Sequence, residues 1–208
     1  MNTNKHRLVQ NLVFLIIIIL FCTSLWQLAS AGWIQSKAIT AQLLLNSAWQ
    51  QTIEESETNN APGKHRPWPW ADTWPVAKLI LPQHDIEQII LAGDSGSSLA
   101  FGPGYSLASS EPNTTGTTVI SGHRDTHFSF IKDIKINELI ILQTPEKTIN
   151  YRIVDFQIVD SETYTLHTDT DNKNLVLVTC YPFDAVDTGS TLRYLVYATE
   201  YKTRDNLT

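Results

Sequence analysis

Cysteine is scarce in this chain. Only Cys22 and Cys180 occur among 208 residues. Cys22 lies in a long apolar segment near the N-terminus, so everything from Ala31 onward holds one thiol. An internal disulfide is therefore excluded from that part. Charge is missing elsewhere. The 29 positions between Arg7 and Lys37 carry no Asp, Glu, Lys or Arg. The first 31 residues hold none of the 21 acidic residues and two of the 15 basic ones, which leaves the remainder with a net charge of −8. A surface of that sign argues against nucleic acid or anionic lipid as its partner. Internal repeats and low-complexity tracts are also absent.

The uncharged stretch, LVQNLVFLIIIILFCTSLWQLASAGWIQS, exceeds the ~20 apolar residues that cross a bilayer. Lys5, His6 and Arg7 precede it, which predicts an N-terminus in the cytoplasm and the remainder outside. Ala29-Ser30-Ala31 also fits a small-x-small cleavage site. The apolar run from Leu8 to Leu28 is longer than the ~7–15 residues of a signal-peptide core, and this favours a retained anchor. Phe21 is a poor residue to precede a lipidated Cys22. The expected organisation is a cytoplasmic N-terminus (1–7), a transmembrane anchor (8–31), a helical stalk (32–58), a linker (59–72), a globular domain (73–203) and a tail (204–208). Within the stalk, Leu43, Leu44, Ala48 and Ile53 suggest an apolar stripe. The linker contains NNAPGKHRPWPW, and its prolines break the helix. Trp68, Trp70 and Trp74 are expected to pin it to the domain.

From Val76 the texture changes to short runs rich in Val, Ile, Thr and Tyr. VAKLILP, IEQIILAG, TTVISGH, LIILQT, INYRIVDFQIVD, LVLVTCYP and LRYLVYATEY read as strands. AGDSGSS, GPG, EPNTTG and FDAVDTGS read as turns and loops, and FSFIKDI as one short helix or turn. Seven or eight strands with few helices predict a mainly β fold. A closed or nearly closed barrel is the first reading and a sandwich the second.

The lone thiol, Cys180, ends the apolar run NLVLVTC. His123, in SGHRDTHF, lies 57 residues before it, and Arg193, in TLRY, 13 residues after it. A thiol, an imidazole and a guanidinium can supply nucleophile, proton carrier and oxyanion donor for acyl transfer. Each also has a plain structural reading: a buried inert cysteine, a hydrogen-bonded histidine, a solvated strand-end arginine. Thr179 is open to substrate contact or to a role as an ordinary β-former. Asp125 could orient an imidazole or pair with Arg124 on the surface. His123, Asp125 and His127 alternate, so an extended segment would present all three to a metal. No second ligand cluster of obvious spacing accompanies them, although Asp160, His167 and Asp169 stand as further ligand types.

SGHRDTHF, then LVLVTCYPF, then TLRY, in that order, resemble the sortases, the cysteine transpeptidases that cut and join sorting signals on exported proteins. The likeness spans roughly Trp74 to Tyr201 and includes FGPGY (Phe101 to Tyr105) and the N-terminal anchor. The VTC element, the YPF after it and GHRDTHF look most like class D-like and proteobacterial members. The resemblance implies a closed eight-stranded β-barrel with one or two short helices, in which His123, Cys180 and Arg193 converge at one end. It implies an LPxTG-like C-terminal sorting signal on an exported protein as substrate, a thioester acyl-enzyme and an amine acceptor at the cell envelope. Thr179 would assist substrate binding, and FDAVDTGS would wall the groove. No cofactor is implied. No dense acidic cluster compels the calcium site of some sortases.

Two other function classes stay open at this level. One is another cysteine peptidase or hydrolase. The papain arrangement, however, places Cys before His, and the SHGC-type motif of L,D-transpeptidases is absent. The other is a noncatalytic, membrane-tethered β-barrel binding module.

Overall fold

A computed structural model describes residues 3–59, 63–185 and 189–202. The expected tail, 204–208, and part of the expected linker lie outside the described residues. The chain forms two compact units, Met1–Gln42 and Leu43–Thr208.

The first unit is helical and belongs to α1 (Thr3–Asn59). Its apolar side chains, Leu12 to Phe21 among them, are exposed to the surroundings. Asn11–Asn59 is long and apolar enough to cross a membrane. The hydroxyls of Thr23 and Ser30 donate to the carbonyls of Leu20 and Trp26 at 2.9 and 2.8 Å. Such local bonds satisfy the hydroxyls within the helix itself.

The second unit begins with the C-terminal turns of α1. Leu45, Ala48, Trp49, Thr52 and Ser56 are buried. Leu45 and Trp49 pack on Ile89 and Leu91 of the domain. The buried stripe keeps the expected Ala48 and Ile53 but not the leucines: Leu43 and Leu44 are exposed. The 3.6-residue period allows either row. The large Trp49 and its neighbours at i−4 and i+3 fill the groove better than the paired leucines.

Eight strands then close a barrel: β1 (Pro75–Leu81), β2 (Ile86–Ala92), β3 (Gly104–Tyr105), β4 (Gly116–Ser121), β5 (Leu139–Gln143), β6 (Thr148–Asp160), β7 (Lys173–Cys180) and β8 (Leu192–Glu200). The order around the barrel is β1-β2-β3-β4-β7-β8-β6-β5, and β1 pairs with β5 to complete it. Closure removes the sheet edges and excludes the sandwich. Two pairings, β2/β3 and β4/β7, are parallel and the others antiparallel. All seven expected strands occur. The eighth, β3, is two residues of a Gly-Pro-Gly-Tyr segment too short to show alternation. AGDSGSS contains part of a one-turn helix, α2 (Gly96–Leu99), and FSFIKDI a 3-10 turn at Ser129–Lys132.

The core fills the barrel with Leu79, Leu81, Ile90, Ile120, Ile140, Tyr151, Leu175, Leu177, Val196 and Ala198. Phe128 and Ile131, from the segment after β4, join this cluster. The packing requires Gly122: a Cβ there would lie 2.6 Å from the Phe128 ring. The Trp68 ring meets Phe101 edge-on at 4.7 Å, and the Lys64 ammonium lies over Trp74. Trp70 does not pin the segment, because it is 82% exposed.

Candidate active site

Strand β7 carries two kinds of side chain. Leu175 and Leu177 face the core, so alternation puts Thr179 with them and Cys180 on the other face with Val176 and Val178. On β8, Tyr194, Val196 and Ala198 meet the core, which leaves Arg193 on the outer face. The antiparallel register sets Cys180 directly opposite Arg193. Directly paired residues hold their Cβ atoms about 4.5–5.5 Å apart.

His123 reaches the same end of the barrel by another route. β4 runs parallel to β7, and Ser121 pairs with Val178. The Gly122 N–H donates to the Val178 carbonyl at 3.0 Å. His123 and Cys180 each stand two residues beyond that last pair. His123 is exposed and Cys180 half-buried. Thr179 Oγ1 donates to the Gly122 carbonyl at 2.7 Å and ties the two strand ends together from inside.

After His123 the chain turns at once. The N–H groups of Thr126 and Phe128 both donate to the His123 carbonyl, at 3.4 and 3.0 Å. This removes the extended geometry on which the metal reading depended. Among the described residues no group of three or more His, Cys, Asp or Glu side chains is gathered to hold a metal. His127 is half-buried, and its carbonyl accepts from Gln88 Nε2 at 2.6 Å. Burial pushes the His127 imidazole below its ordinary pKa, and repulsion from His123 adds to this. The hydrogen bond from Arg124 holds the Asp125 carboxyl below its usual range, and the nearby charges of Arg124 and His123 reinforce it against a desolvation that opposes.

Arg193 Nη1 donates to the carbonyls of Ser190 and Leu192, both at 2.9 Å. Arginine has five N–H donors, so this anchoring leaves others for a ligand. Beyond Cys180 an aromatic cluster fixes the chain. Tyr181 stacks with Tyr194 at 6.2 Å, and Phe183 meets Tyr194 at 5.1 Å. Next to β4 lies a cavity of about 330 Å³ lined by Asp72, Trp74, Asp94, Ser98 and Leu107. Ser121 Oγ donates to the Asp94 carboxylate at 3.4 Å, so the cavity adjoins the strand that leads to His123.

A family model for the Sortase domain matches residues 79–201, more than half of the chain. The chain belongs to the sortase family. Sortase D of Bacillus subtilis (strain 168) is 32% identical over 120 residues, which cover 57% of this chain and 60% of the relative. The matched part thus spans less than two thirds of that relative's length. This agrees with the class D-like character of the motifs. Among solved structures, a Clostridium perfringens sortase D5 transpeptidase is similar with a TM-score of 0.62 and 19% identity, covering 78% of this chain and 99% of its own. A Clostridium perfringens sortase C with the C-terminal cell wall sorting motif has a TM-score of 0.55 and 19% identity, covering 81% and 91%. At these identities the two structures speak for the fold.

In this sortase the expected site residues fare differently. Cys180, Arg193 and His123 come to one end of one three-strand ladder. Thr179 is 2% exposed on the core side of β7, and its hydroxyl donates to the Gly122 carbonyl. Asp125 points to solvent and pairs with Arg124. Of the FDAVDTGS loop, residues 186–188 lie outside the described residues. Sequence reasoning offered Arg124 only as a surface partner of Asp125. Its side chain is only 9% exposed and donates to the carbonyls of Pro182 and Ala185. No spacing signals this, because a charge after a histidine reads as a solvated one.

Proposed function

We propose that this sortase is a membrane-anchored cysteine transpeptidase acting on an LPxTG-like sorting signal. The reading rests above all on the cross-strand pairing of Cys180 with Arg193, with His123 leaving the adjacent parallel strand at the same height. It is further supported by the sorting motif in the similarly folded sortase C. Cys180, as thiolate, attacks the carbonyl carbon of the signal's Thr. Arg193 donates hydrogen bonds that orient the peptide and stabilise the oxyanion. His123, as imidazolium, gives its proton to the departing amine as the C–N bond breaks, and a thioester on Cys180 remains. An incoming amine then loses a proton to His123 and attacks the thioester. The new amide forms and the thiolate departs.

The cavity beside Ser121 and Asp94 is suited to part of the signal peptide. The N-terminal helix anchors the enzyme in a lipid bilayer with residues 1–7 in the cytoplasm. The basic residues before the apolar run support that orientation, with the barrel on the outer side. The exported protein carrying the signal and an amine at the envelope are the two substrates.

Intact-mass spectrometry with an LPxTG-like peptide tests the proposal. A mass adduct on Cys180 that an added amine discharges into a ligated peptide is expected. Discharge by water alone would make the protein a hydrolase. No adduct with any such peptide would leave a binding module.

A further inference from the structure

Arg124 follows the imidazole of the proposed mechanism, yet no step of that mechanism uses it. Its guanidinium is nevertheless withdrawn from solvent, with the side chain 9% exposed. Nε and Nη2 hold the Asp125 carboxylate at 2.9 and 3.1 Å. Nη1 donates to the Pro182 carbonyl, and Nη2 to the Ala185 carbonyl at 2.9 Å. The ion pair alone does not explain this placement. Asp125 is 70% exposed, and a pair so open to water is worth little. The carbonyl bonds reach 58 and 61 residues along the chain, to the segment after the nucleophile.

The arrangement is symmetric about the site. Before the reactive residues, Gly122 and Thr179 are joined by a hydroxyl, and Gly122 and Val178 by the ladder. After them, the β4/β7 ladder has ended, and Arg124 carries the connection onward. Cys180 and His123 are thus bracketed on both sides.

We propose that Arg124 is a positioning residue of this sortase: its guanidinium clamps the Pro182–Ala185 segment to the His123 turn and holds thiol and imidazole in register. This rests on the transpeptidase reading above. The Asp125 hydrogen bond pushes the Arg124 pKa further up; desolvation opposes this, and attraction from Asp125, the Cys180 thiolate and Asp184 adds to it. Arginine stays charged at any working pH, so the clamp does not titrate. Only its planar fork serves two carbonyls and a carboxylate at once.

The test uses the full chain in detergent micelles with an LPxTG-like peptide and triglycine. R124A is expected to lower kcat about 10–100-fold, the scale of a small misplacement, with KM held within about twofold. R124K retains the charge without the fork and is expected to stay at least about fivefold below wild type in kcat. Iodoacetamide alkylation of Cys180, read by mass mapping of digested protein so that Cys22 is told apart, needs no substrate peptide. It should slow at least about threefold in either variant while circular dichroism matches wild type. A kcat within about twofold of wild type in R124A or R124K overturns the proposal, as does a loss confined to KM. If R124A fails to fold, R124K decides by the same criteria. A wild-type protein that never acylates overturns the transpeptidase reading instead, and the alkylation ratio then decides for or against Arg124.

Discussion

The two faces of β7 and β8 differ in what a substitution would do to them. The inner face holds Leu175, Leu177, Thr179, Tyr194, Val196 and Ala198, all turned to the core side. The outer face holds Cys180 and Arg193 at its end. Neighbouring residues on one strand therefore serve different ends. Thr179 is buried and hydrogen-bonded to Gly122, whereas Cys180, one peptide bond away, is half-open to solvent. The inner face should answer in stability and the outer face in turnover.

That division can be broken from either side. The largest effect is expected for Cys180→Ala, which should abolish peptide cleavage in a mass assay while the melting temperature holds. Retained turnover would remove Cys180 from the chemistry. Arg193→Ala should lower kcat/KM by ~10²–10³, the usual loss of an oxyanion donor. Steady-state kinetics beside a thermal melt would separate this from a fold defect. Leu177→Ala on the inner face should cost about 2–5 kcal/mol of stability in urea unfolding, for a fully buried leucine. Thr179→Val should cost about 1–3 kcal/mol by leaving the Gly122 carbonyl without its donor. An unchanged urea midpoint would mean the hydroxyl bond carries no stability.

The smallest effect concerns pH. The folded-state pKa of His127 lies below its ordinary value of 6.5. The unfolded chain therefore binds this proton more readily than the folded one. Stability from this group is intact above about pH 6.5 and is lost as pH falls from there toward the lowered value. His127→Gln should therefore narrow the drop in melting temperature between pH 7.5 and pH 5.5. A variant with the same drop as wild type would place the loss in other groups.

The two parts of α1 offer a second contrast. From Leu12 to Phe21 the apolar residues stay exposed, while Leu45 and Trp49 are buried against Ile89 and Leu91. A hydrophobic run tells only that water is avoided. Whether lipid or protein takes its place depends on what lies opposite.

Much of the fold was legible because alternation of apolar and polar residues is local. Seven strands announced themselves in this way, whereas β3 had too few residues to show a period. Trp70 misled because a tryptophan's size suggests packing even where the chain holds it outward. The gathering of Cys180, His123 and Arg193 at one barrel end was legible because their motifs occur in one order. The inward turn of Thr179 was not legible, because its side of the strand depends on where the core lies. Nor was the reach of Arg124, whose carbonyl partners are some 60 residues away.

Residue types and their order were enough to determine the single thiol, the uncharged N-terminal run, the strand texture and the family likeness, since each resides in neighbouring residues. Tertiary structure alone decided that Cys180 faces Arg193, that Thr179 turns inward and that Arg124 bridges two distant segments. Those outcomes depend on strand register and barrel closure, which couple residues through space rather than along the backbone.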